Sequence, residues 1–196
     1  MKIAVLAWGS VVWDPQGLET IRNFEPTGPY LPLEFCRVSR DGRLTLVIDE
    51  SVDSLCQTYA APSAFNELDG ALQNLWIREG REGESLPRDI REHGRVGYVD
   101  RISGRASAKA IERHPRMVQT IKVWAASNGY DATIWTSLAG NFADQTGKLF
   151  SVQDAVRYLQ ALDPPTLDKA LVYIRRAPGE VRTPVRVAVN ARWPEA

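Results

Sequence analysis

The feature that most constrains this chain is an N-terminal apolar run that ends in a loop of small residues. Residues 3–7 have the length and composition of a buried strand. Gly9-Ser10 follows closely, and residues this small let the backbone turn sharply and leave its N–H groups open to a ligand. Asp14-Pro15 then signals a further turn. The stretch predicts a strand that leads into an anion or carbonyl site, with a plain strand and turn as the alternative.

The composition is that of an ordinary globular protein. The chain has 196 residues, of which 44% are hydrophobic and 24% are charged, and we predict a single domain over residues 1–196 with a sizeable core. The 24 Lys and Arg residues equal the 24 Asp and Glu residues, so no overall field favours nucleic acid or an anionic membrane. We therefore predict neither a nucleic-acid nor a membrane partner.

The cellular compartment is predicted from what the sequence does not contain. No apolar run approaches the roughly 20 residues that span a bilayer, and the N-terminus does not resemble a signal peptide. Cys36 and Cys56 do not make a disulfide framework, and both fall in segments typical of strands, so we interpret them as small buried hydrophobic residues. These features predict a cytoplasmic protein and leave its oligomeric state open.

Three consecutive segments predict antiparallel strands. Residues 33–39 alternate apolar with polar, Asp41-Gly42 is a hairpin signal, and residues 44–48 form the returning strand. Residues 54–61 predict a third strand. The pattern indicates an antiparallel meander, and with the helices below it indicates an α+β fold.

A helix over residues 64–79, capped by Ser63, carries the most informative acid. Leu68, Leu72, Leu75 and Glu79 follow the spacing of one helical face, which places Glu79 on the stripe that faces the core. A carboxylate on an apolar face is poorly solvated, and this environment suits a general base. The alternative is that the helix frays and Glu79 is a solvated terminal acid.

The rest of the chain predicts further helices and strands. Residues 80–94 are rich in charge and predict a mobile loop that covers a site. The pattern favours strands over residues 96–102, 132–138 and 181–189. It favours helices over residues 16–23, 151–162 and 166–176, within residues 103–113, and from His114-Pro115 to Asn128-Gly129.

Two short motifs resemble a known superfamily. Trp8-Gly9-Ser10-Val11 is similar to the Tyr-Gly-Ser-Leu/Asn signature of the γ-glutamylcyclotransferase-like superfamily. Ile77-Arg78-Glu79 is similar to the end of the helix that supplies that family's catalytic glutamate. The order of elements is similar over roughly the first half of the chain. The motif departs from the family at Trp8, where a tyrosine is usual, so any role of a phenol hydroxyl at that position is lost.

The resemblance implies a fold and a reaction. The fold would be a small mixed, mainly antiparallel β-barrel with flanking helices. The reaction would release 5-oxoproline from a small γ-glutamyl compound, with Glu79 as general acid and base. The main chain at Trp8, Gly9, Ser10 and Val11 would bind the substrate, and no cofactor or metal would be needed. Arg37 is a further candidate for a substrate carboxylate, or it is an exposed strand residue.

Other readings of the sequence are weaker. His93 and His114 lack a second ligand at metal spacing, Ser10 is not in a Gly-x-Ser-x-Gly elbow, and the dinucleotide glycine pattern is incomplete. Two alternatives stay open. One is a catalytically silent member of the fold that binds a small molecule or a protein. The other is hydrolytic amidase chemistry, which yields free glutamate.

Overall fold

The computed structural model describes residues 1–80 and 85–194, which form a mixed α+β structure. The strands of this part of the chain are β1 (Ile3–Ala7), β2 (Tyr30–Val38), β3 (Leu44–Ile48), β4 (Leu55–Gln57), β5 (Tyr59–Pro62), β6 (Val96–Asp100) and β7 (Ala132–Thr136). The helices are α1 (Ser10–Trp13), α2 (Leu68–Arg78), α3 (Leu86–Glu92), α4 (Ala108–Arg113), α5 (Pro115–Ser127), α6 (Phe142–Thr146), α7 (Val152–Gln160), α8 (Pro164–Arg176) and α9 (Pro184–Arg192).

The strands form two sheets. One has the order β5-β1-β7-β6, in which β1 and β7 are parallel and the other pairs are antiparallel. The other has the order β3-β2-β4 and is antiparallel throughout. The predicted meander is wrong, because β4 pairs with β2 and not with its predecessor β3. The mixed, mainly antiparallel α+β class is therefore confirmed. A closed barrel is not formed by the strands of residues 1–80 and 85–194, so the barrel is unconfirmed.

The parallel pair β1 and β7 sets the position of the site. Because these strands run side by side in the same direction, their carboxyl ends, Ala7 and Thr136, lie at the same edge of the sheet. The Gly9-Ser10 loop therefore begins beside the end of β7. The carboxyl ends of parallel strands are a common place for a ligand.

The predicted third strand is divided at Thr58. Residues 55–57 pair with β2, whereas residues 59–62 pair with β1 in the other sheet. Thr58 itself is fully buried, and its main-chain N–H and its hydroxyl both donate to the carbonyl of Pro29. The chain crosses from one sheet to the other at this residue, which a strand pattern of apolar residues does not reveal.

The predicted last strand, residues 181–189, is wrong because this segment contains the start of α9. The Thr183 hydroxyl accepts a hydrogen bond from Arg186 N, and Pro184 occupies the first helical turn. The buried Glu34 carboxylate accepts another from Val185 N. A Thr-Pro pair is a standard start signal for a helix, but the run of valines favoured a strand.

Three smaller predictions are also corrected. Residues 16–23 do not form a helix, since Gln16 and Gly17 have φ angles of 48° and 79°. Helix α2 begins at Leu68, because the Ser63 hydroxyl accepts from Phe65 N in a turn before the helix. Of the predicted loop 80–94, residues 81–84 lie outside the described part of the chain, and Leu86–Glu92 is helical.

The remaining predicted elements agree with the structure. The Asp41-Gly42 hairpin, α5 and α7 are present, and Ser151 caps α7 by accepting from Asp154 N. Cys36 and Cys56 are buried free thiols, as predicted. None of the described helices is long and apolar enough to cross a membrane.

Candidate functional site

An open cleft of about 1180 Å³ lies where β1 and β7 end. Its walls come from both sheets and from helices α1, α2 and α8. The cleft brings together every site residue predicted from the sequence, although these residues come from distant parts of the chain: Trp8, Gly9, Ser10, Val11, Arg37 and Glu79.

Glu79 lies at the C-terminal end of α2 and is enclosed by protein. Gly80 follows in the left-handed conformation, with a φ of 72°, which ends the helix. The Glu79 side chain is only 12% exposed. Its Oε1 accepts a hydrogen bond from Thr136 Oγ1 at 3.1 Å and another from Arg78 Nη1 at 3.3 Å. The alternative of a solvated terminal acid is therefore not supported.

Arg78 connects this carboxylate to the N-terminal loop. Its Nη2 donates to Ser10 Oγ at 3.1 Å and to the carbonyl of Asp14 at 2.9 Å. The side chain is 10% exposed. Helical periodicity places Arg78 away from the stripe of Glu79, so the sequence analysis missed it. Its long side chain reaches the cleft from the neighbouring face of the helix.

The Gly9-Ser10 loop is the start of a short helix. Gly9 is the N-terminal cap of α1, and its carbonyl accepts from Val12 N at 2.9 Å. In the first turn of a helix the N–H groups have no acceptor within the helix, so those of Ser10 and Val11 need partners elsewhere. Trp8 and Val11 are buried and form the base of the loop.

Arg37 reaches the cleft from β2. It is half-buried, and its Nη1 donates to the carbonyl of Ala139 at 2.7 Å. Burial lowers the pKa of this guanidinium, and the nearby cations Arg113 and Arg95 lower it further. The alternative of a merely exposed strand residue does not hold, because Arg37 is part of the cleft wall.

Positive charge dominates the cleft. Within the described residues, seven Arg or Lys and four Asp or Glu side chains line it. The basic residues are Arg37, Arg40, Arg43, Arg78, Arg95, Lys169 and Arg176. An excess of cations in a concave site favours an anionic ligand.

Helix α8 supplies a wall that the sequence analysis missed. Lys169, Tyr173 and Arg176 all line the cleft. The Arg176 guanidinium lies 5.8 Å from the centre of the Trp13 ring, and that ring meets Tyr173 edge-on at 5.5 Å. Their i, i+4, i+7 spacing places them on one face of α8. This spacing can be recognised in the sequence, but it does not reveal which part of the protein this face of α8 contacts.

No group of three or more metal-binding side chains is assembled within residues 1–80 and 85–194. His93 is exposed, whereas His114 is buried at the start of α5.

Comparison of the chain with protein-family models, curated proteins and solved structures gave no match. The functional assignment therefore depends on the site itself.

Proposed function

We propose that this protein is a γ-glutamylcyclotransferase-like enzyme that releases 5-oxoproline from a small γ-glutamyl compound, with Glu79 as the general acid and base. One observation carries the proposal. The loop motif and the acid motif that resemble the superfamily lie far apart in sequence, yet both line one cleft and are joined through Arg78.

The chemistry needs few groups because the substrate contains both reacting atoms. Its α-amine attacks its own γ-carbonyl carbon once the two are held close together. Glu79 accepts a proton from the α-ammonium group, and a tetrahedral intermediate forms. The protonated acid then gives the proton to the leaving nitrogen as the carbon–nitrogen bond breaks. The attacking nitrogen gives up its second proton to the Glu79 carboxylate, which passes it to the amine product, so that Glu79 ends in its starting form. The products are 5-oxoproline and a free amine or amino acid.

The geometry of Glu79 suits this role. Among the described residues, both hydrogen bonds to the carboxylate reach Oε1. This arrangement holds Oε1 and leaves Oε2 without a hydrogen bond from the described residues, so that Oε2 is the oxygen we assign to proton transfer. Thr136 and Arg78 are thus the groups that orient the base.

The remaining charges suit the glutamyl head. Its α-carboxylate needs a cation or main-chain N–H donors, and a guanidinium is well matched to a carboxylate. Arg37 is the candidate from the sequence, and the N–H groups of the Gly9-Ser10-Val11 loop are candidates for a carboxylate or carbonyl oxygen. No cofactor or metal takes part in this scheme.

The proposal extends to the fold. We infer that the two sheets correspond to the β-barrel that the family resemblance implies. In this protein the barrel would be open where the two sheets separate. The connection through Thr58 supports this view, because one continuous segment contributes β4 to one sheet and β5 to the other.

A catalytically silent binding protein is the second candidate, and the ion pair favours it. The Glu79 carboxylate is paired with the Arg78 guanidinium at 3.3 Å, so this acid already has a cationic partner within the protein. A protein of this kind would use the cationic cleft to bind a small anion without turnover.

The test is an assay of the purified protein with γ-glutamylalanine, γ-glutamylethylamide and glutathione, in which 5-oxoproline and glutamate are both measured. Release of 5-oxoproline supports the proposal. Release of free glutamate instead indicates amidase chemistry. Saturable binding of a γ-glutamyl compound without any product indicates the binding protein.

A further inference from the structure

We propose that Arg113 is a positioning residue for Glu79 and Arg37, acting on both through residues 136–139. Its kinetic consequences rest on the proposed function, whereas its structural consequences follow from the contacts alone. Arg113 is the last residue of α4, and it does not line the cleft. The inference therefore assigns a role in the site to a side chain that lies behind it.

The Arg113 guanidinium binds three main-chain carbonyls. Its Nη1 donates to the carbonyls of Gly94 at 3.0 Å and Ser137 at 2.9 Å. Its Nη2 donates to the carbonyl of His93 at 2.7 Å. A guanidinium carries its N–H groups in a rigid planar fork, so one side chain can hold several acceptors in a fixed geometry. Arg113 thus joins two separate segments of the chain to the end of α4.

These carbonyls lie where the ladder between β6 and β7 ends. Val96, the first residue of β6, pairs with Thr136, the last residue of β7. Just beyond this pair, Ser137 N donates to the carbonyl of Arg95 at 2.7 Å. Arg113 Nη1 binds the next carbonyl on each of the two strands, and the residues that carry these two carbonyls are buried. Water cannot readily replace a donor at a buried carbonyl, so Arg113 determines where the strand ends lie.

The turn before β6 is shaped for this close contact with α4. Gly94 has a φ of 58°, which favours glycine. A Cβ atom at this position would lie 2.5 Å from Lys109 Cβ and 3.3 Å from Arg113 Nη1. The main chain therefore approaches α4 more closely than any side chain would allow.

Ser137 connects Arg113 to the candidate base. It directly follows Thr136, whose hydroxyl donates to Glu79 Oε1 at 3.1 Å. Consecutive Cα atoms keep a fixed separation of about 3.8 Å, so a displacement of Ser137 is passed to Thr136. Arg113 therefore holds in place the residue whose hydroxyl orients Glu79.

The same segment also holds Arg37. Residues 136–139 continue from the end of β7 to Ala139, whose carbonyl accepts from Arg37 Nη1 at 2.7 Å. Leu138, within this segment, lines the cleft. One short segment thus contacts the candidate base at its start and the candidate carboxylate-binding residue at its end. We expect both side chains to move when Arg113 no longer holds the segment.

Arg113→Lys is the informative variant. Lysine keeps the positive charge and a long stem, but its ammonium group is a point charge without the planar fork. It cannot hold three carbonyls in the geometry that the guanidinium gives them. Residues 136–139 should therefore shift while the fold is retained, and Arg113→Gln, which also removes the charge, should shift them further.

Arg186→Lys is the matched control. Arg186 is half-buried like Arg113, and its guanidinium also binds three main-chain carbonyls, those of Pro178, Val181 and Arg175. These contacts lie between α8 and α9, and Arg186 does not line the cleft. The control therefore reproduces the loss of a guanidinium fork without touching residues 136–139.

Side-chain resonances of labelled protein give the first measurement. In ¹³C,¹⁵N-labelled protein, we expect Arg113→Lys to move the carboxyl-carbon resonance of Glu79 and the Nε–H resonance of Arg37. Arg186→Lys should leave both resonances in place. A purely structural role of Arg113 would lower the melting temperature in the same way as Arg186→Lys but would not move these two resonances.

Kinetics with γ-glutamylalanine give the second measurement. We expect Arg113→Lys to lower kcat about fivefold and to raise KM about threefold, since both Glu79 and Arg37 are displaced. Arg186→Lys should keep the wild-type values. The double variant Arg113→Lys with Thr136→Val should lose little more kcat than Thr136→Val alone, because Arg113 acts on Glu79 through Thr136.

Unchanged resonances of Glu79 and Arg37 in folded Arg113→Lys protein would overturn the proposal, whether or not the wild type shows turnover. Equal shifts in Arg186→Lys, or additive losses of kcat in the double variant, would also overturn it. If the wild type turns over no γ-glutamyl compound, the proposed function fails, and the resonances alone decide the role of Arg113.

Discussion

The Thr136 hydroxyl donates to Glu79 Oε1 at 3.1 Å, which joins the last residue of β7 to the residue that follows α2. Thr136 is half-buried at the edge of the cleft. Strand β7 also runs parallel to β1, so the strand that leads to the Gly9-Ser10 loop and the strand that orients Glu79 are hydrogen-bonded neighbours. The position of the candidate base is therefore set by the central strands of a sheet.

Thr136→Val is expected to lower kcat by about fivefold to tenfold, because it removes a hydrogen bond to Glu79. One such bond contributes about 1 kcal/mol, and raising the activation free energy by this amount slows the reaction to this extent. Valine keeps the shape of threonine and its preference for strands, so the melting temperature should change little. Steady-state kinetics of 5-oxoproline release would measure the effect.

Thr133→Val is the matched control for this prediction. Thr133 lies on the same strand and is fully buried, and its hydroxyl has no hydrogen-bond partner within the described residues. Removing an unsatisfied hydroxyl should leave kcat unchanged and keep or raise the stability. An equal loss of kcat in both variants would show that Thr136 acts only through the packing of β7.

Arg176→Gln is expected to discriminate between leaving groups. Arg176 belongs to the α8 wall of the cleft, and Trp13 supports its guanidinium. If this wall faces the leaving group, KM for γ-glutamylalanine, whose leaving group carries a carboxylate, should rise about fivefold to tenfold. KM for the neutral leaving group of γ-glutamylethylamide should not change.

Arg157→Gln provides the control, because Arg157 pairs with Asp154 on α7 and does not line the cleft. It should leave both KM values unchanged. If Arg176→Gln raises KM equally for the two substrates, this arginine binds the shared glutamyl head or supports the cleft in general.

Because His114 is buried, we expect the free energy of unfolding to decrease in mild acid. Burial lowers its pKa below 6.5, and the charge of Glu50 opposes this effect in part. Neither ring nitrogen has a hydrogen-bond partner in the described residues. Because the folded state disfavours the charged imidazole, the free energy of unfolding is unaffected well above the unfolded pKa. It then decreases as the pH falls from about 6.5 towards the lower folded pKa.

Urea denaturation between about pH 7.5 and pH 5.5 measures this slope, which is at most about 1.4 kcal/mol per pH unit for one proton. His114→Gln should remove part of the decrease, whatever its effect on the absolute stability. His93→Gln changes an exposed histidine and should retain the wild-type slope. A His114→Gln protein with the full wild-type slope would contradict the prediction.

Local signals in the sequence were sufficient for those elements that tertiary contacts do not override. The strand Ile3–Ala7, the Asp41-Gly42 hairpin and the Ser151 cap follow from patterns a few residues long. The segment after Thr183 is different, because its valines fit a strand while the buried Glu34, far away in sequence, receives the first turn of a helix. A partner so distant does not appear in a local pattern.

The same distinction applies to the site. Glu79 and the Gly9-Ser10 loop were found because each belongs to a short motif. Thr136 was missed because its contact with Glu79 exists only after β7 lies beside the end of α2. Arg78 was missed for another reason, since the length of its side chain brings it to the cleft from a neighbouring helical face.

The most direct test of the account is 5-oxoproline release by Glu79→Gln beside the wild type, with γ-glutamylalanine as substrate. Glutamine keeps the size of the side chain and an oxygen that accepts from Thr136, so the protein should fold normally, but it cannot take up a proton. We expect kcat to fall about a hundredfold or more, whereas Glu67→Gln, at the exposed other end of α2, keeps the wild-type rate. A wild-type rate in folded Glu79→Gln would contradict the assignment of Glu79 as the base.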